Sequence, residues 1–168
     1  MCCFYFVEKV IGVIGAAIQH VAAPRLRIGC LEMLQCLAPL ATPSALLELI
    51  VPYIHQLLVD QAAPVRRQAI ITLSKVLRHI DTPLPQNDSQ LFQDYLFPQL
   101  SGLVNDPEPM VLVALAQHVA HIARSSALIM ELTQQAGKKL EKDEEGNASL
   151  PFRSRVEGQV NRTREIQQ

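Results

Sequence analysis

The stretch "LIVPYIHQLLVDQAAPVRRQAIITLSKVLRHI", from Leu49 to Ile80, decides the fold. It is apolar enough for two packed helices, yet Pro52 interrupts its first half and Asp60 stands where the two halves meet. Proline disfavours a helix interior because it has no backbone N–H and its ring clashes with the preceding turn. A helical hairpin that contains both residues therefore needs a physical reason for them.

The second half of this stretch has the apolar spacing of an amphipathic helix. Apolar residues recur every three or four positions, which places them on one stripe of the helix surface. The stripe comprises Val65, Ala69, Ile70, Leu73, Val76, Leu77 and Ile80. Burying it stabilises the fold by about 1.5–3 kcal/mol per large side chain, which a lone helix cannot achieve. The first helix of this hairpin extends upstream of Leu49 and is apolar nearly all round. It begins at Thr42, a predicted N-cap, followed by Pro43.

The same pattern returns farther along the chain. A proline, an acid and a valine recur together at an offset of 46 residues (106 − 60). The aligned pairs are Pro52 with Pro98, Asp60 with Asp106, and Val65 with Val111. Upstream, Ala22-Ala23-Pro24 aligns with Ala62-Ala63-Pro64 at an offset of 40 (62 − 22). Units of about 40–47 residues, each a pair of helices, are typical of HEAT or armadillo repeats.

These repeats predict an all-α fold, an α-solenoid of about three HEAT-like helical hairpins. The hairpins are expected at residues 5–38, 42–80 and 88–135, and together they form a predicted solenoid over residues 1–135. The remaining segment, 136–168, is charged and poor in large apolar residues. Such a segment cannot bury enough surface to offset its ordering entropy, so we expect a disordered tail.

The repeated residues have predicted structural roles. Pro52 and Pro98 should kink the first helix of each hairpin, so that it curves over its stacked neighbour. Gly12 and Gly15 lie in a helical stretch, where small residues indicate close packing of helices.

The acid in each turn should accept hydrogen bonds from free N–H groups at the start of the second helix. It should also reach an arginine on the next hairpin. In the middle hairpin Asp60 is the acid and Arg66 the arginine of this predicted contact. The third hairpin keeps the acid, Asp106, but has Leu112 in place of the arginine.

Composition and motifs argue against several classes of function. With 15 basic and 16 acidic residues in 168, the chain has no overall basic footprint for nucleic acid. The apolar run from Val10 to Ile18 is shorter than the about 20 residues of a spanning helix, so we expect no membrane insertion. His118 and His121 lack further ligands at metal spacing, and phosphate-binding, zinc-protease and kinase motifs are missing. The sequence predicts no cofactor, no metal site and no catalytic residue.

Several short motifs occur in a particular order. They are "CLEMLQCLAP" at Cys30 to Pro39, Pro52-Tyr53, Asp60 with Val65-Arg66, Leu73-x-Lys75-Val76-Leu77, Pro85-x-Asn87-Asp88 and Tyr95-Leu96-Phe97-Pro98. From about Val7 to Gln134 the sequence resembles the HEAT-repeat region of the phosphoinositide 3-kinase regulatory subunit 4 family.

The resemblance implies a non-catalytic scaffold segment of the class III phosphatidylinositol 3-kinase complex, acting in endosomal trafficking, vacuolar protein sorting and autophagy. The implied partners are a class III phosphatidylinositol 3-kinase catalytic subunit and its adaptor. The implied location is cytoplasmic, peripheral on endosomal or autophagic membranes through the complex. The open alternative is a generic HEAT-repeat adaptor, like a phosphatase scaffold or a transport receptor.

Complete members of this family resemble a three-part design, with an N-terminal kinase-like domain, the helical repeats and a C-terminal WD-repeat propeller. This sequence matches only the helical repeats, so we expect a fragment or truncated product without enzymatic activity.

Overall fold

Helices and short turns make up the part of the chain that the structure describes. The computed structural model describes residues 2–80, 82 and 92–148, and the chain divides after Thr133 into two compact units. The described residues contain no strand, so the predicted all-α helical-repeat fold is confirmed.

Three pairs of helices follow one another along the chain. The first pair is α1, Cys2–His20, and α2, Pro24–Leu37. In the second, α3 (Pro43–Ala45), a π-helical turn (Leu46–Ile50) and α4 (Val51–Leu57) run into one another and pair with α5, Ala63–Val76. The third has a π-helical turn (Phe92–Leu96) and α6 (Phe97–Gly102), followed by α7, Pro109–Ala148. The predicted start of the third hairpin near residue 88 lies outside the described residues.

The two prolines of the repeat stand directly after π-helical turns. Pro52 is the second residue of α4 and Pro98 the second of α6, and both π-helical turns end two residues before the proline. A proline cannot donate to the carbonyl four residues back, and prolines and π-bulges are both known sites of helix kinks. The irregularity recurs at the 46-residue offset, so it belongs to the repeat.

Thr42 begins the first half of the middle hairpin. Its Oγ1 accepts a hydrogen bond from the N–H of Ala45 at 3.3 Å, and Pro43 follows at the first helical position. The predicted N-cap is therefore confirmed, and it satisfies one of the free N–H groups of the first turn.

One apolar core runs through the three hairpins. The helix α2 packs on both α1 and α5, and α5 also packs on α4. The repeat valines Val65 and Val111 are fully buried in this core. The middle hairpin is the most completely covered, because it has a hairpin on either side.

The last helix, α7, is the longest element. It continues to Ala148, so residues 136–148, which we expected in the tail, are helical, and residues 149–168 lie outside the described part. The stretch "GKKLEKDEEGNA" is rich in lysine and glutamate, which favour helix without needing burial.

Part of α7 also has the length and composition of a membrane span. Among the described residues this is Pro109–Gly137, within which an 18-residue stretch reaches a mean hydropathy of 1.2. A span centred on this segment would place Arg124 near the bilayer midplane, at a cost of about 2.5–3.5 kcal/mol. The composition fits equally a helix whose apolar faces are covered by other helices.

The first helices of the first two hairpins meet at a glycine. The ring of Tyr53 lies directly over Gly15, so closely that a Cβ on Gly15 would overlap the ring. A Cβ on Gly12, three residues earlier on the same helix, would meet nothing within 4 Å. The expected close packing thus holds for Gly15 but not for Gly12.

We expect Gly15→Ala and Gly12→Ala to change stability in opposite directions. Alanine favours a helix over glycine by about 1 kcal/mol, so Gly12→Ala should raise the thermal midpoint. Gly15→Ala should lower it, because the Tyr53 ring must leave its position. In a Tyr53→Ala background Gly15→Ala should become stabilising. Equal effects of the two alanine substitutions in the parent chain would show that the ring moves at no cost.

Candidate interaction surface

Two acid–arginine pairs join successive hairpins. The carboxylate of Asp60 accepts a hydrogen bond from Arg27 of the preceding hairpin. The carboxylate of Asp106 accepts two from Arg66, with Nε to Oδ2 at 2.7 Å and Nη2 to Oδ1 at 2.8 Å. Both acid side chains are only 5% exposed. We call these two pairs the ladder.

Each acid also bonds the start of its own second helix. The N–H of Ala62 donates to Asp60 Oδ1 at 2.8 Å, and the N–H of Glu108 donates to Asp106 Oδ1 at 2.9 Å. Free N–H groups at a helix start favour a negative charge. The predicted contact of the acids with these N–H groups is therefore confirmed.

Each arginine of the ladder also binds the turn of its own hairpin. Arg27 donates from Nε to the carbonyl of Val21 at 3.0 Å and from Nη2 to that of Ala22 at 2.7 Å. Arg66 donates from Nη1 to the carbonyls of Asp60 at 2.7 Å and Gln61 at 3.2 Å. The planar guanidinium has five donors in a fixed fork, which lets one side chain hold its own turn and the next hairpin together.

The prediction that the acid reaches an arginine on the next hairpin is wrong in direction. The arginine comes from the preceding hairpin, and Arg66 contacts Asp60 through the carbonyl and not the carboxylate. The Asp60 carboxylate faces Arg27 and its own helix start, which leaves the carbonyls of its turn for Arg66. Leu112, at the position of Arg66 in the third hairpin, has no guanidinium to extend the ladder.

Arg27 was missed because the upstream alignment was off by one residue. The matching Ala-Ala-Pro letters gave an offset of 40, which sets Arg27 opposite Arg67. The helices α2 and α5 begin after Ala23 and Ala62, an offset of 39 (62 − 23), which sets Arg27 opposite Arg66. Counting from the helix start would have found the arginine.

The ladder shifts the acid–base properties of its second pair. The hydrogen bond from Arg66 lowers the pKa of Asp106, and the N–H of Glu108 and the positive charge of Arg66 add to this effect, against burial. The same hydrogen bond raises the pKa of Arg66. Both groups therefore stay charged at neutral pH.

One face of α5 is covered by the following hairpin. Four positions from Ile70 to Leu77 are buried in the middle hairpin, whereas their equivalents in the third hairpin are exposed, because no described hairpin follows the third. The pairs are Ile70 with Ala116, Leu73 with Val119, Ser74 with Ala120, and Leu77 with Ala123. The exposed set is apolar and mostly alanine, which allows a helix to approach closely. We call it the α7 face.

The opposite face is uncovered on the first hairpin. Val65, Thr72 and Val76 are buried on α5. Their equivalents on α2 are Leu26, Met33 and Leu37, of which the first two are 59% and 48% exposed and the third is half-buried. Exposed apolar surface of this kind marks sites for other protein segments. The candidate site is therefore a pair of helix-stacking faces, one on each outer hairpin.

The remaining predicted positions have structural contacts only. Pro52 and Pro98 lie in the first helices of their hairpins, α4 and α6, whereas Val65 and Val111 are buried in the core. Within residues 2–80, 82 and 92–148, no group of three or more histidine, cysteine or acidic side chains is placed to hold a metal ion.

The fold and these faces define a helical-repeat protein segment built to pack against other helices. The family model described as PIK3R4-like, middle domain, matches residues 10–168. The chain therefore belongs to the PIK3R4-like family and represents its middle domain, and the resemblance seen in the sequence is confirmed.

Two curated relatives carry the same region. The serine/threonine-protein kinase vps15 of Schizosaccharomyces pombe is 27% identical over 130 residues, which cover 77% of this chain. The serine/threonine-protein kinase VPS15 of Arabidopsis thaliana is 31% identical over 108 residues, or 64% of this chain. The matched regions span 8% and 7% of the length of these relatives.

We expect Arg66→Ala to lower the free energy of unfolding by about 3 kcal/mol, because it leaves the nearly buried Asp106 carboxylate without its cation. Arg67→Ala is the matched control, since Arg67 is exposed and its loss should change stability by less than about 0.5 kcal/mol. Urea unfolding at neutral pH measures both. Similar effects of the two substitutions would contradict a stabilising ladder.

We expect the Arg66–Asp106 pair to make the fold acid-sensitive. The folded pKa of Asp106 is depressed, so its stabilisation is complete above the unfolded pKa of about 3.9 and is lost as the pH falls through the lower folded value. Between pH 5 and 2, that is from about one unit above the unfolded pKa downward, the parent chain should lose stability more steeply than Asp106→Asn. Parallel curves from denaturant titrations would show that Asp106 does not contribute.

Proposed function

We propose that this chain is a non-catalytic scaffold segment of a class III phosphatidylinositol 3-kinase complex, acting in endosomal trafficking and autophagy. The observation that carries the proposal is the pair of uncovered helix-stacking faces on a segment of this family. A surface of exposed alanines and larger apolar residues offers shape for packing and no group for chemistry. The proposed activity is therefore mechanical.

The ladder gives such a segment its stiffness. Each rung ties a helix start, a turn and the neighbouring hairpin together through charge-assisted hydrogen bonds, which are stronger than neutral ones. The hairpins should then move as one body, and a partner held at one face keeps a fixed distance from a partner held at the other. This is what a scaffold needs in order to place a catalytic subunit.

The proposed partners are the class III phosphatidylinositol 3-kinase catalytic subunit and its adaptor. The proposed location is the cytoplasm, peripheral on endosomal or autophagic membranes through the complex. We propose that the kinase activity named in the relatives belongs to regions outside this middle domain and that this segment itself transfers no phosphate.

We expect the tagged chain, co-expressed with the catalytic subunit and the adaptor, to retain both proteins on affinity purification. The double substitution Ala116→Glu with Ala120→Glu places two charges on the α7 face and should reduce the retained amount about tenfold or more. Ala16→Glu, at an exposed alanine of α1, is the matched control and should leave it unchanged. Immunoblots for the two named proteins measure the outcome.

Thermal unfolding of each variant shows whether it is folded. A folded parent chain that retains neither protein would overturn the proposed complex. Retention of a phosphatase catalytic subunit or a transport cargo in the same assay would support the generic HEAT-repeat adaptor instead.

A further inference from the structure

Basic side chains gather on the outward faces of α5 and α7. The helix α5 has no acidic residue, and α7 has none from Pro109 to Met130. Arg67 and Lys75 on α5 and Arg78 in the turn that follows it (Leu77–His79) point away from the core, as do His121 and Arg124 on α7, and the half-buried His118 lies beside them. We call these six residues the basic ridge.

The repeat places the ridge residues side by side. At the 46-residue offset Lys75 is equivalent to His121 and Arg78 to Arg124, so the same outward position is basic in two neighbouring hairpins. Arg67 and Lys75 on α5 and Arg78 in the turn that continues it follow helical spacing and share one face. The Arg66–Asp106 pair holds the starts of α5 and α7 together.

The ridge residues have no anionic partner in the part of the chain that the structure describes. The two ion pairs found there belong to the ladder and use other arginines. The Nδ1 atom of His118 is inaccessible to solvent and has no hydrogen-bond partner among the described residues.

The positive charges of the ridge act on His118. Burial lowers the pKa of His118, and nearby basic groups lower it further. Those groups are His121, Arg78, Lys75 and Arg67. Four of the six ridge residues therefore lie close enough to His118 to repel its charged form, and no described acid opposes them.

The first hairpin does not continue the ridge. At the 39-residue offset, Glu32 on α2 is equivalent to Ile71, and Cys36 is equivalent to Lys75. The outward face of α2 is therefore acidic at one position and neutral at the next, so the charge is confined to the second and third hairpins.

We propose that the basic ridge is a docking site for an acidic peptide segment of a partner protein. The basic side chains of the ridge would bind carboxylates of this segment. The half-buried Ile71 and the exposed Val113, which lie among the basic residues, offer apolar contact to the same segment. From Arg67 to Arg78 the ridge is about 16 Å long. Carboxylates at positions i and i+4 of a bound helix would match its spacing.

A peptide suits this surface better than a membrane or a nucleic acid. Neither α5 nor the part of α7 from Pro109 to Gly137 has a phenylalanine, tyrosine or tryptophan, and surfaces that bind bilayers usually insert such side chains. Nucleic acid needs neutralisation of many phosphates, whereas only four of the six ridge residues are lysine or arginine.

The test uses fluorescence anisotropy of a labelled peptide of about 12 residues, which as a helix spans the ridge at about 1.5 Å per residue. The probe alternates glutamate and leucine at helical spacing, and its partner probe has glutamine for every glutamate. We expect the chain to bind the glutamate peptide, and added salt should weaken the binding because exposed charges are screened. The glutamine peptide should not bind.

The variant Lys75→Glu with Arg78→Glu should weaken binding of the glutamate peptide about tenfold or more. Arg25→Glu, an exposed arginine on α2 outside the ridge, is the matched control and should leave it unchanged. Lys75→Gln with Arg78→Gln, which removes charge without reversing it, should give an intermediate loss. Thermal unfolding confirms that each variant is folded.

Three results would overturn the proposal. The first is equal binding of the glutamate and glutamine peptides, and the second is an equal loss in Arg25→Glu. The third is absence of peptide binding while vesicles of phosphatidylcholine and phosphatidylserine bind in a manner that depends on Lys75 and Arg78, which would assign the ridge to a membrane surface. The inference does not depend on the proposed scaffold function, because the peptide is synthetic and no complex is required.

Discussion

A nearly buried carboxylate at the hairpin turn is the constraint on which the stack depends. Removing a carboxylate from water is costly unless its charge is paired and its oxygens are hydrogen-bonded. Asp60 meets this requirement only when its own helix start and Arg27 of the preceding hairpin are both in place. The acid therefore holds both the geometry of its own turn and the position of the neighbouring hairpin.

The ladder has a rung at each of the two junctions, and the residues at its outer positions explain why it has no more. Val21 occupies the position of Asp60 in the first hairpin, so that turn has no carboxylate to receive an arginine. Leu112 occupies the position of Arg66 in the third. The outer sides of the first and third hairpins therefore lack the bidentate ion pair that fixes the geometry of the inner junctions.

The sequence predicts the repeat well where its signal is compositional and poorly where it is geometric. Pro52, Asp60 and Val65 recur with Pro98, Asp106 and Val111, and a one-dimensional pattern suffices to see that. The pairing of arginines with acids depends on the direction in which the hairpins stack. Residue types alone do not indicate that direction. The one-residue error around Arg27 has a similar origin, because alanine and proline letters do not mark the first helical residue. Apolar periodicity, which predicts the other helices, does not predict the continuation of α7 to Ala148, because that stretch contains few large apolar residues.

Net charge hides how the charges are distributed. A balance of −1 over the chain argues against a protein that is basic throughout, and that conclusion is sound for long-range attraction to nucleic acid. It does not extend to one face, because acids concentrated elsewhere leave α5 and the first half of α7 without any. In a helical repeat the outward positions of successive second helices align, so even one basic residue per turn becomes a continuous ridge. Charge in such a fold is best counted by equivalent position across hairpins, since that is how a partner lying across them meets it.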